Sequence, residues 1–156
     1  MDRGSIAIWN SPGTNAGTLT SDSGSLINVP CSSTARFDLE AKPSATTPEE
    51  LLAAAEAGCF TMTFSELLAA AGHPPHSLRT EVRVQLVRPG GRWEIPSLRL
   101  HCTAVVPGIS EQEFLALAHE ARVQSPIARA LRADVTMTVS LESAPGPGWY
   151  APLQQA

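Results

Sequence analysis

Residues 47–72 read Thr47-Pro48-Glu49-Glu50 followed by LLAAAEAGCFTMTFSELLAAAG, and this stretch decides the fold. Threonine three residues before a glutamate is a capping box, and proline at the first helical position agrees with it. Gly72 with Pro74 just beyond is a stop signal. Between these marks the spacing predicts a helix of about 24 residues, roughly 36 Å long at 1.5 Å per residue. Alanine, leucine and small residues cover most of its circumference, which predicts a helix buried on several sides. Glu56 and Glu66 interrupt the apolar stretch and argue against a membrane span.

The flanks complete an α+β order. Upstream, SIAIW, GTLTS and SLINV between Ser5 and Val29 read as strands of an antiparallel meander, with a further extended run over residues 35–40. Downstream, Leu78, Thr80, Val82, Val84 and Leu86 alternate with polar residues. They form a half-buried strand, paired through the Pro89-Gly90-Gly91 turn with a second over residues 97–106. Ser110-Glu111-Gln112-Glu113 is another capping box, opening a helix with Phe114, Leu117 and Ala121 on one face. Ser125-Pro126 opens a short third helix, and residues 134–142 alternate as a last strand. Residues 1–142 therefore read as a single domain, and 143–156, without periodicity, as a flexible tail.

Composition limits the partners. The 156 residues are 43% hydrophobic and 17% charged, which is a globular balance. Their net charge of −4, without a basic block, leaves no footprint for nucleic acid or an anionic membrane. The first ten residues lack an apolar export segment, so a cytoplasmic location is expected. Three widely spaced cysteines, Cys31, Cys59 and Cys102, are neither a disulfide framework nor a metal site. Cys102, on the apolar side of a strand, reads as a buried core thiol, and Cys31 as a loop residue before Arg36. Cys59 sits mid-helix, where no helix terminus lowers its pKa, so activation has to come from a cation on another element.

TPEELLAAAEAGCFTMTFSELLAAAG resembles the long helix of the OsmC/Ohr family, the osmotically inducible and organic hydroperoxide resistance proteins, in which a reactive cysteine stands ten residues after the glutamate of the helix start. Glu49 and Cys59 have that spacing. The likeness extends through TARFDLE, which places Arg36 at the family's arginine, through VPGISEQEF, and through QSPIARALRADVTMTVSLE. It implies an OsmC-like α+β fold, with antiparallel sheets around the long helix and an intertwined homodimer. It also implies a thiol peroxidase that reduces organic hydroperoxides to alcohols in oxidative or osmotic stress defence, with no cofactor or metal. Cys59 is then the nucleophile, Arg36 stabilises its thiolate and polarises the peroxide, and Glu49 holds Arg36. Phe60, Met62 and Phe64 are expected to line the substrate pocket.

Ten residues of straight helix separate Glu49 from Cys59 by about 15 Å. Two such helices packed antiparallel about a twofold would bring Glu49 of one copy towards Cys59 of the other. The family's second cysteine opens its third helix in a Cys-Pro-[Val/Ile] segment, where this chain has Ser125-Pro126-Ile127. Serine forms no disulfide, which leaves three expectations. Cys59 acts alone, with a small thiol or a dithiol such as a lipoylated protein resolving its sulfenic acid. Alternatively Cys31 substitutes as the resolving thiol, or the protein binds an apolar ligand or serves as a one-shot redox sensor.

Overall fold

The computed structural model describes residues 2–9, 16–37, 45–143 and Trp149. They fall into two compact units, Met1–Leu51 and Leu52–Ala156, with the long helix beginning in the first and continuing through the second.

In the first unit, β1 (Ser5–Trp9), β2 (Ala16–Ser21) and β3 (Val29–Ser32) form an antiparallel sheet in that order. Trp9 pairs with Gly17, where a Cβ would collide with the Ile8 carbonyl oxygen and lie 2.8 Å from Trp9 Cε3, so the close approach of β1 needs glycine. The third strand starts later than SLINV predicts. Ser21 Oγ accepts the Leu26 N–H at 3.0 Å and Asn28 takes φ +50, so this segment closes a turn. Pro30 is tolerated because β3 is an edge strand. Cys31 accordingly lies in a strand and not in a loop. The extended run expected from Ala35 is instead a helical turn, α1 (Ser33–Phe37), started by Ser32 Oγ accepting the Ala35 N–H at 3.0 Å, the bond of an N-cap. Residues 38–40 lie outside the described residues, as does most of 143–156.

The long helix, α2 (Pro48–Ala70), starts and stops where its sequence marks predict. Thr47 Oγ1 accepts the Glu50 N–H at 3.2 Å, and Glu50 Oε2 accepts the Thr47 N–H at 3.3 Å. Together they make a reciprocal capping box. At its end Gly72, at φ +87, donates to the Ala69 carbonyl at 3.1 Å, and the His73 N–H reaches the Leu68 carbonyl at 2.9 Å. These bonds satisfy the last carbonyls of the helix.

In the second unit, β4 (Ser77–Val84) and β5 (Ser97–Val105) pair antiparallel. Helices α3 (Glu111–Gln124) and α4 (Pro126–Ala130) then carry the chain across to β6 (Asp134–Leu141). Because the crossover is helical, β6 runs parallel to β5, so this sheet is mixed where an antiparallel one was expected. Val82, Leu98, Leu100, Cys102 and Ala104 point from one sheet face into a core closed by α2 and α3. From α2 come Phe60, Phe64 and Leu68, all 0% exposed. Burial of each such side chain is worth about 1.5–3 kcal/mol. By length and composition α2 could cross a bilayer, but this row lies in the core.

Candidate functional site

Two of the expected site residues meet in the first unit. Arg36 lies in the last turn of α1 and Glu49 in the first turn of α2, and Arg36 Nη2 donates to Glu49 Oε1 at 2.5 Å. Both are shielded, with side chains 30% and 13% exposed. The pair is therefore stronger than a surface ion pair. The guanidinium also lies over the Phe37 ring, 5.2 Å from its centroid, within range of a cation–π contact. Its Nε–H is buried and has no acceptor among the described residues. The arrangement is a cation held by Glu49, with one buried donor unused among the described residues.

Cys59 occupies the half-buried shoulder of α2, next to the core-facing row Glu56, Phe60, Phe64 and Leu68. It stands nearly three helical turns beyond Glu49, about 15 Å along the axis and about 80° around it. The three residues expected to line a pocket beside it do not share a face. Phe60 and Phe64 are core residues whose rings meet tilted at 5.4 Å between centroids, with Phe64 in turn 5.4 Å from Phe114. Met62 points the other way and is 67% exposed. A spacing of i, i+2, i+4 on a helix scatters side chains over two faces, so the three do not line one surface within this chain.

The other thiols differ sharply from each other. Cys102 is fully buried, and burial pushes its pKa up to about 11. That keeps it protonated and inert. Cys31 is half-buried, opposite Gly17 in β2 and bridged to Thr46. His101 is exposed on the polar sheet face, with Nδ1 2.9 Å from Thr138 Oγ1. No group of three potential metal ligands occurs among the described residues.

One polar group inside the second unit counted in the sequence only as an argument against a membrane span. Glu56 is 0% exposed. Ser125 Oγ donates to its Oε2 at 3.3 Å, while Oε1 is buried and has no partner among the described residues. Burial raises the carboxyl's pKa, opposed by the Ser125 hydroxyl and the Ala128 N–H. Ser125 Oγ has a second task at the α4 cap, where it accepts the Ala128 N–H at 3.3 Å. Serine is well suited to that position. The signal available in sequence was a glutamate breaking an otherwise apolar i, i+4 row.

Residues 41–140 match the family model described as OsmC-like protein. The chain is also 34% identical over 127 residues to the peroxiredoxin OsmC of Escherichia coli, covering 81% of this chain and 87% of that one. The chain belongs to the OsmC-like family. Solved relatives share the fold of this OsmC-like protein. One is an OsmC-like protein of unknown function from Vibrio cholerae, with TM-score 0.73 and 20% identity over 89% of this chain and 99% of that one. Another is an organic hydroperoxide resistance protein from Legionella pneumophila, with TM-score 0.67 and 22% identity over 90% and 96%.

Proposed function

We propose that this OsmC-like protein is a cytoplasmic, thiol-dependent peroxidase for organic hydroperoxides, acting in oxidative or osmotic stress defence. The observation that carries the reading is the Arg36–Glu49 pair. A shielded guanidinium, locked at 2.5 Å, keeps a buried Nε–H without an acceptor among the described residues. Such a donor can meet a peroxide oxygen or a thiolate. Membership of a family that includes a peroxiredoxin and hydroperoxide resistance proteins supports the same chemistry.

In this reading Cys59 Sγ attacks the distal oxygen of the hydroperoxide. The S–O bond forms as the O–O bond breaks, sulfur gives up two electrons, and the alkoxide leaves as the alcohol after taking a proton. A thiol then attacks the sulfenic acid, releasing water and leaving a mixed disulfide. A second thiol, or the other arm of a dithiol, restores Cys59. With serine at 125, no neighbouring cysteine from α4 intervenes.

Arg36 and Glu49 serve the Cys59 of a second copy in a homodimer. The exposed face of α2 supports this. Ala54, Gly58 and Met62 follow at i, i+4 and i+8, one stripe of the helix surface. A Cβ at Gly58 would meet nothing within 4 Å among the described residues.

The test is consumption of cumene hydroperoxide with excess dithiothreitol, with intact mass recorded alongside. The expected result is many turnovers, abolished in Cys59→Ser, with a gain of one oxygen on Cys59 when reductant is withheld. A loss of two hydrogens would instead indicate a Cys31–Cys59 disulfide. Absence of turnover in the unmodified chain would overturn the peroxidase reading in favour of a ligand-binding or sensing role.

A further inference from the structure

Glu56 is a buried carboxyl in an otherwise apolar row of α2. Its helix neighbours along the core row are Phe60, Phe64 and Leu68, and one of its oxygens is left without a hydrogen bond among the described residues. A buried, half-satisfied acid is destabilising, so its presence calls for a chemical role. Cys59 lies three residues further on, one helical turn away, with the two Cβ atoms about 5–6 Å apart. The charged groups on the packed elements face away from the carboxyl, whose hydrogen-bond partners are the Ser125 hydroxyl and the Ala128 N–H. On the sheet, Arg79, Glu81, Arg83, Arg99 and His101 alternate onto the face opposite the core. On α3, Glu111, Glu113, His119 and Glu120 are exposed, and Arg122 donates to the Val135 carbonyl at 3.2 Å. Arg129 of α4 is exposed as well. Cys102 shares the core and stays a thiol.

The peroxide step needs a proton for the departing oxygen. Arg36 is permanently charged and has none to give. Glu49 is tied to Arg36. We propose that Glu56 is the proton donor of the reaction, holding the proton that Cys59 releases and handing it to the alkoxide as the O–O bond breaks. The inference rests on the peroxidase reading above. The balance closes without an outside acid: a thiol and a hydroperoxide become a sulfenic acid and an alcohol, with Glu56 ending as it began. Burial holds the Glu56 carboxyl's pKa above its ordinary value, so the carboxyl keeps a proton to give. Ser125, whose hydroxyl steadies the ionised carboxylate, is a positioning residue that sets where that proton is lost.

The experiment is a single-turnover reaction of the reduced full-length protein with cumene hydroperoxide across a pH series. It is quenched with dimedone and read as mass on Cys59. For the unmodified chain, the rate constant should fall on the alkaline side, where Glu56 loses its proton. Glu56→Gln keeps shape and an acceptor for Ser125 but carries no proton to give. It should react about ten- to a hundredfold more slowly and lose that alkaline limb. Ser125→Ala removes a hydrogen bond to the carboxylate, so its limb should move to higher pH. That displacement would not follow from a purely structural role. Glu56→Gln reacting at the unmodified rate with the unmodified profile overturns the proposal and leaves the peroxidase reading intact. If Glu56→Gln does not fold, Ser125→Ala decides: a displaced limb supports the proposal, and an unmoved one overturns it. No Cys59 oxidation in the unmodified protein overturns the peroxidase reading and this one with it.

Discussion

Among single residues, Glu56 gives the clearest stability test, separate from any activity. Its carboxyl pKa is raised by burial, so the folded protein holds a proton there that the unfolded chain releases from about pH 4.5 upward. Protons bound by the folded state and not by the unfolded one make stability fall as pH rises. The unmodified protein should therefore lose stability from about pH 4.5 up to the raised folded value and stay level above it. Glu56→Gln removes the ionisation and should be the more stable of the two at neutral and alkaline pH, with the gap closing below pH 4.5. Urea midpoints for both proteins at a series of pH values check it, and a gap that does not change with pH would mean Glu56 is not desolvated. Arg36 makes a contrasting case. Its charge is held by Glu49 at 2.5 Å, and in the proposed reaction the group left to act is its buried Nε–H, which has no acceptor among the described residues.

Within α2, Gly58 separates what the helix needs from what its neighbours need. Glycine inside a helix costs about 0.5–1 kcal/mol relative to alanine. Nothing described within 4 Å of its Cβ position requires it. In an isolated chain Gly58→Leu should therefore fold as well as the unmodified protein or slightly better. If a second α2 packs there, the leucine should wedge the helices apart and shift sedimentation from dimer to monomer. An unchanged dimer would place the interface elsewhere. The ends of this helix were legible because capping is local: Thr47 and Glu50, or Gly72 and Ala69, meet within a few residues. The misread elements depended on distant or competing bonds. Ser32 capping Ala35 turned an extended run into α1, the serine turn after Ser21 delayed β3, and the parallel seat of β6 depends on where a two-helix crossover lands. The same division holds in the site. The Arg36, Glu49 and Cys59 positions were visible through a motif, and Arg36 and Glu49 are in contact in the fold. The Glu56–Ser125 bond joins residues 69 apart and had no local mark.

For the whole molecule, the question is whether one chain contains a complete site. Along a straight helix Glu49 and Cys59 stay about 15 Å apart. The arginine that Glu49 holds is thereby tied to the start of α2, while the thiol stands at its middle. A twofold pairing with α2 antiparallel to its copy reverses that distance for both chains at once, giving two identical sites that each draw on both copies. Mixing inactive variants tests this directly. Arg36→Ala supplies a sound Cys59 with no cation, and Cys59→Ser supplies a sound Arg36–Glu49 pair with no thiol. If the site is shared, a mixed dimer of the two contains one fully equipped site and one lacking both groups. An equal mixture, unfolded and refolded together so that chains exchange, should then recover about one quarter of the unmodified turnover: half the dimers are mixed and half their sites work. Each variant refolded alone should stay inactive. If Arg36 instead serves the Cys59 of its own chain, each mixed dimer holds two broken sites and the mixture stays as inactive as its parts. The two geometries differ by the presence or absence of activity, so the cumene hydroperoxide assay on the refolded mixture is sufficient to choose between them.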